Sequence, residues 1–192
     1  MENKKANSTT ASQNGKQSNS KSTNAAMKSS QLMKLFEDEL MDLYWAENAI
    51  TKAIPKMIKK ATSQELIDAL TSHLSETGTQ ITRLEQVFKS IGKKATAKKC
   101  EAMDGLIKEG AEIMEECEEG AMRDAGIISS SQKIEHYEIA SYGTLRQFAE
   151  TLGLTVAETL LETTLGEERA ADEKLTEVAT KAINVEAAQQ EA

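Results

Sequence analysis

A chain of 192 residues with 39% apolar and 4% aromatic side chains can bury one core and is too short for two sizeable domains. One proline and ten glycines favour long helices and all but exclude a sandwich or barrel, which needs many tight turns. The formal charge of −8 is unevenly spread: residues 1–30 hold five lysines and one acid, Glu2, so they carry +4 and residues 31–192 carry −12.

An acidic body argues against nucleic acid as the main partner. No run approaches the roughly 20 apolar residues of a membrane span, and the N-terminus lacks the apolar stretch of a signal peptide. A soluble cytoplasmic protein without a membrane partner is expected. Cys100 and Cys117 belong to no CxxC pair and read as reduced, structural thiols.

Residues 1–28 are mostly Ser, Asn, Thr, Lys and Gln and bury too little apolar surface to offset the entropy of ordering. They read as a disordered polar tail ahead of a helical body over 29–184, with a frayed tail over 185–192. From Leu32 through Phe36, Leu40, Leu43, Glu47, Ile50, Ile54 and Met57, steps of three and four predict one helix over about 30–61. Ser63 is a cap residue for a second helix, in which Leu66, Leu70, His73, Thr77, Ile81, Leu84 and Phe88 continue the stepping to Ile91 and Gly92. A less regular third helix is expected over about Lys99–Asp124. A fourth follows Gly126, marked by Ile134, Glu138, Leu145 and Phe148, and a fifth follows Gly153, marked by Leu160, Thr164, Glu167, Ala171 and Leu175.

An offset of 91 residues lays the first two helices on the last two: Leu70 meets Leu161, Leu84 meets Leu175, Val87 meets Val178. Two of the matches are acidic, Glu47 with Glu138 and Glu76 with Glu167. In each hairpin the two glutamates lie 15 and 14 residues from the turn at Thr62 or Gly153, which sets them at one height of roughly 21–22 Å. Two such hairpins in one bundle bring four carboxylates to one core layer. Bare, they would cost several kcal/mol for each ion, and a pair of divalent metals removes that cost. His73 stands one turn from Glu76 and Glu135 one turn from Glu138, adding a nitrogen and a fifth carboxylate. An oxygen-rich set with one imidazole suits iron or manganese.

The stretches LYWAENAI, HLSETGTQITRLE, QKIEHYEIASYGTLRQFAETLG and TLGEERAADEKL resemble blocks of the YciF-like and YciE-like proteins, bacterial stress-associated members of the ferritin-like superfamily. The resemblance covers about residues 30–180. It implies an all-α ferritin-like four-helix bundle, built here from the two repeated hairpins, with the extra helix in a long crossover. It also implies a homodimer and a carboxylate-bridged dinuclear metal centre. The common ferritin-like pattern is Glu-x-x-His; here His73-x-x-Glu76 is reversed and Thr164 stands where the repeat would supply a second histidine. Glu168 and Asp172 are the candidates to complete the site on the last helix.

The expected roles are Glu76 and Glu167 as bridges, Glu47 and Glu138 as terminal ligands, His73 as the nitrogen ligand and Glu135 as a mobile carboxylate. Tyr44 and Tyr142 lie one turn from the layer and offer hydrogen bonds behind the ligands. No nucleophilic triad or phosphate-binding glycine loop competes for the chemistry. The first functional reading is a stress-response oxidoreductase acting on peroxide or dioxygen. The alternatives are non-catalytic metal binding or storage, and a structural stress protein acting as a homodimer.

Overall fold

The computed structural model describes Met1 and residues 30–189; the polar tail expected over 1–28 lies, Met1 apart, outside the described residues. The described chain is helical: α1 (Gln31–Lys60), α2 (Gln64–Ser90), α3 (Glu101–Glu116), α4 (Ala121–Thr151), α5 (Thr155–Val178), a π-helical turn Ala179–Ile183, and α6 (Asn184–Gln189). No helix among them is long and apolar enough to cross a membrane.

The Ser30 side chain accepts from the Met33 N–H at 3.1 Å and starts α1; Ser63 does the same for α2 with Leu66. At the far end of α4, Gly153 at φ 70° takes the left-handed conformation that closes the helix. Leu154 N–H there bonds to Ala149 O at 2.8 Å and Gly153 N–H to Glu150 O at 3.0 Å.

The third helix ends earlier than its sequence suggests. The chain leaves α3 at Cys117, turns through Gly120 at φ 117° and starts α4 at Ala121, ahead of Gly126, which sits inside α4. A Cβ at Gly126 would lie 2.7 Å from Ile113 Cγ2 and 3.3 Å from Cys117 Sγ, so glycine there serves the close approach of α3 to α4, not a helix end.

Helices α1, α2, α5 and α4 form the ring of the bundle, each packed on its two neighbours, and α3 covers the outer side of α1 and α4. Arg83–Thr164 between α2 and α5, with Lys181 just past α5 on Glu65 at the start of α2, and Tyr142–Glu47 between α4 and α1, with Asp124 on Thr62 just past α1, show that α2 and α5, and α1 and α4, run antiparallel, as the two hairpins do. Phe36, Leu40, Leu43, Ile50, Leu84, Leu145 and Leu161 are fully buried in the core. The crossover is fastened to α1, since Lys98 N–H donates to Met41 O at 3.1 Å. Helix α6 buries none of its residues.

Candidate metal centre

The inward stripes of the bundle helices are mostly apolar, and at one level polar residues from all four replace the apolar ones. On α1 the stripe Leu43, Glu47, Ile50 carries a carboxylate; on α2 His73, Thr77 and Gln80 follow Leu70; on α4 Glu135, Glu138 and Tyr142 follow Ile134; on α5 Thr164 and Glu168 flank Leu165. Each is buried because it occupies a core position at helical spacing.

His73, Glu135, Glu138 and Glu168, from α2, α4 and α5, each offer a ligand atom, and those atoms lie within 4.8 Å of one another. His73 Nε2 is 3.2 Å from Glu135 Oε1, although neither imidazole nitrogen makes a hydrogen bond. Glu47 adjoins Glu138, and its Oε1 accepts from the Tyr142 hydroxyl. Among the described residues no donor reaches either oxygen of Glu168, or the Oε2 atoms of Glu47, Glu135 and Glu138.

Desolvation disfavours charge throughout this layer. Burial, followed by the neighbouring carboxylates, pushes Glu168 up to about 10. Burial likewise pushes Glu135 up to about 8 and raises Glu47 and Glu138 well above the usual carboxylate range. Burial alone lowers His73 to about 4, so its imidazole is neutral at pH 7. Four carboxyls and a neutral imidazole, with orphaned oxygens and nitrogens inside a core, are the donor set that a hard or borderline divalent metal takes up. The residues present fit such a group.

The remaining expected site residues stand around this layer. Glu76 is at the rim, its side chain 47% exposed, with Oε2 4.0 Å from His73 Nδ1. Glu167 forms a two-pronged ion pair with Arg83, at 2.7 and 2.8 Å, and accepts from Gln80 at 3.2 Å. Arg83 also donates to Thr164 at 2.6 Å. Asp172 is taken up by Gln132 at 3.1 Å and His136 at 3.4 Å. The Tyr44 hydroxyl donates to Glu85 at 3.0 Å, and its ring meets Phe88 edge-on.

The offset of 91 carries over into space as equivalent burial. Glu47 and Glu138 are both buried, as are His73 with Thr164 and Thr77 with Glu168, while Glu76 and Glu167 both lie toward the edge. On α5 the inward line runs Leu161, Leu165, Glu168, Leu175, which places Glu167 about 100° from Glu168. Gln80 and Arg83, which surround Glu167, are residues that sequence spacing did not single out.

An antiparallel four-helix bundle around a layer of histidine and carboxylates defines a ferritin-like helical protein. The chain belongs to the DUF892 family, described as a domain of unknown function, whose model matches residues 31–188. Protein YciF of Escherichia coli strain K12 is 45% identical over 160 residues, 81% of this chain and 96% of that protein. The crystal structure of the E. coli stress protein YciF matches with a TM-score of 0.77 at 44% identity, covering 80% of this chain and 98% of that one. YcfI from Rhodopseudomonas palustris matches with a TM-score of 0.74 at 47% identity, covering 77% and 94%. A Xanthomonas campestris protein at 22% identity and a TM-score of 0.64, covering 83% and 97%, shares the fold.

Proposed function

We propose that the buried layer holds a dinuclear iron or manganese centre and that the protein is a stress-associated oxidoreductase acting on peroxide or dioxygen. The observation that carries this reading is the set of unpartnered buried oxygens and nitrogens on Glu47, His73, Glu135, Glu138 and Glu168. Leaving such groups without partners costs each of them free energy, and bound cations remove that cost by replacing protons on the carboxyls. Glu135 and Glu138 on α4, with Glu168 on α5, would hold the ions through their carboxylate oxygens. His73 would supply the single nitrogen, and Glu47, oriented by the Tyr142 hydroxyl, would add a further carboxylate. A bound iron or manganese pair supplies reversible one-electron chemistry toward peroxide or dioxygen. The chain orients the ligands and keeps bulk water out, since Glu47, Glu138 and Glu168 are 0–1% exposed. The stress association is that of the E. coli relative.

Metal analysis of purified, tag-free protein tests this. About two iron or manganese ions per chain are expected for a dinuclear bundle site, lost in Glu138→Gln and Glu168→Gln. Unchanged occupancy in both variants would overturn the assignment. Oxidation of added ferrous iron by peroxide or dioxygen then separates the oxidoreductase from non-catalytic storage. A structural reading is favoured by the R. palustris relative, described as a candidate structural protein; it requires a homodimer without bound metal, which light scattering and the same metal analysis detect.

A further inference from the structure

Three of the layer's carboxyls are sealed, but one side of it faces a cleft. A cavity of about 440 Å³ between α2 and α5 is lined by His73 and Glu135 together with Glu76 and Asp68. His73 stands between the two compartments: Nε2 faces Glu135 inside at 3.2 Å, and Nδ1 faces Glu76 Oε2 in the cleft at 4.0 Å. Neither nitrogen has a hydrogen-bond partner, although the residue is only 7% exposed.

The cations that line the cleft are already engaged. Lys174 pairs with Glu177 at 2.8 Å, and Lys181 with Glu177 at 3.4 Å and Glu65 at 3.7 Å. Among the described residues Glu76 pairs with no lysine or arginine; its ion-pair contact is the imidazole. A carboxylate half in water and half against an unpartnered buried imidazole can exchange one hydration oxygen of a cation at a time, which hard divalent ions require before they enter a dry site.

We infer that this cleft is the route by which a divalent cation reaches the buried layer, and that Glu76 is the carboxylate that passes it to His73 and Glu135; the inference rests on the metal-centre reading above. Glu76 is then a positioning residue for uptake and not one of the final ligands. The route carries cations because its mouth presents unneutralised acids, which raise the local cation concentration.

Metal-free protein mixed with cobalt(II) in a stopped-flow instrument, with visible absorbance as the readout, tests the route. Glu76→Gln should load about tenfold more slowly and reach the same final stoichiometry. Ala171→Trp, which narrows the cleft without touching a carboxylate, should slow loading as well. Glu116→Gln, at an exposed position on α3 that does not line the cleft, should load like the wild type. Wild-type rates in both Glu76→Gln and Ala171→Trp overturn the route and leave the metal centre standing. A lower final stoichiometry in Glu76→Gln makes Glu76 a ligand and overturns its relay role. A wild-type protein that takes up no cobalt overturns the metal centre and the route together.

Discussion

Tyr142 on α4 donates its hydroxyl to Glu47 on α1, and both side chains are wholly buried. The bond joins the two hairpins at the level of the carboxylate layer and leaves the other oxygen of Glu47 free of donors. Tyr142→Phe removes the donor and keeps the ring. Because a buried acceptor is then unsatisfied, metal-free protein should lose about 1–3 kcal/mol, read as a lower urea midpoint at unchanged m-value. Metal stoichiometry should be retained, since the phenol is not among the proposed ligands; its loss in the variant would place Tyr142 closer to the ions.

The neighbours Glu167 and Glu168 should behave oppositely. Arg83 neutralises Glu167 at the edge, whereas Glu168 has no donor on either oxygen. Glu168→Gln should abolish metal binding and, in chelator at pH 8, stabilise the metal-free chain by about 1–3 kcal/mol by deleting a carboxyl that resists ionisation. Glu167→Gln should keep the metal and lose stability, because Arg83, 14% exposed in its side chain, is left without its counter-ion. Equal metal loss in the two variants would defeat this distinction.

Metal-free protein should become less stable as pH rises. The folded pKa values of Glu135, about 8, and Glu168, about 10, lie above the unfolded value near 4.3. Between those limits the native state binds more protons than the unfolded one. The stabilising contribution is therefore complete below about pH 4.3 and is lost progressively through pH 8 and toward pH 10. Denaturant midpoints measured in chelator from pH 5 to 9 should fall steadily. Metal must displace these same protons, so adding manganese(II) to weakly buffered protein at pH 7 should acidify the solution.

Asp124 fastens the α1–α2 turn to the start of α4. Its carboxylate accepts from Thr62 N–H at 2.8 Å, from the Thr62 hydroxyl at 2.7 Å and from Ser63 N–H at 2.7 Å, at 1% exposure. Asp124→Ala strands two backbone donors and should cost about 2–3 kcal/mol. It is remote from the layer in sequence and hydrogen bonding, so metal stoichiometry should stay at the wild-type value in protein that remains folded; Asp124→Asn, which keeps acceptor capacity, should recover part of the loss.

The five long helices, the hairpin repeat and the burial of Glu47, His73, Glu135 and Glu138 were legible in the chain, because apolar residues at steps of three and four define an inward line and a polar residue on that line must be buried with it. The break between α3 and α4 was not, since glycines at 120 and 126 look alike in sequence. Only the packing of Ile113 and Cys117 against Gly126 shows which one ends a helix. The choice between Glu167 and Glu168 was also tertiary. Adjacent residues differ by about 100° around the axis, and a helix rolled by less than that presents one or the other. What fixes the roll is the seating of Leu161 and Leu165 in the core and the grip of Arg83 from α2 on Glu167, contacts between segments that the order of residues along one helix does not contain.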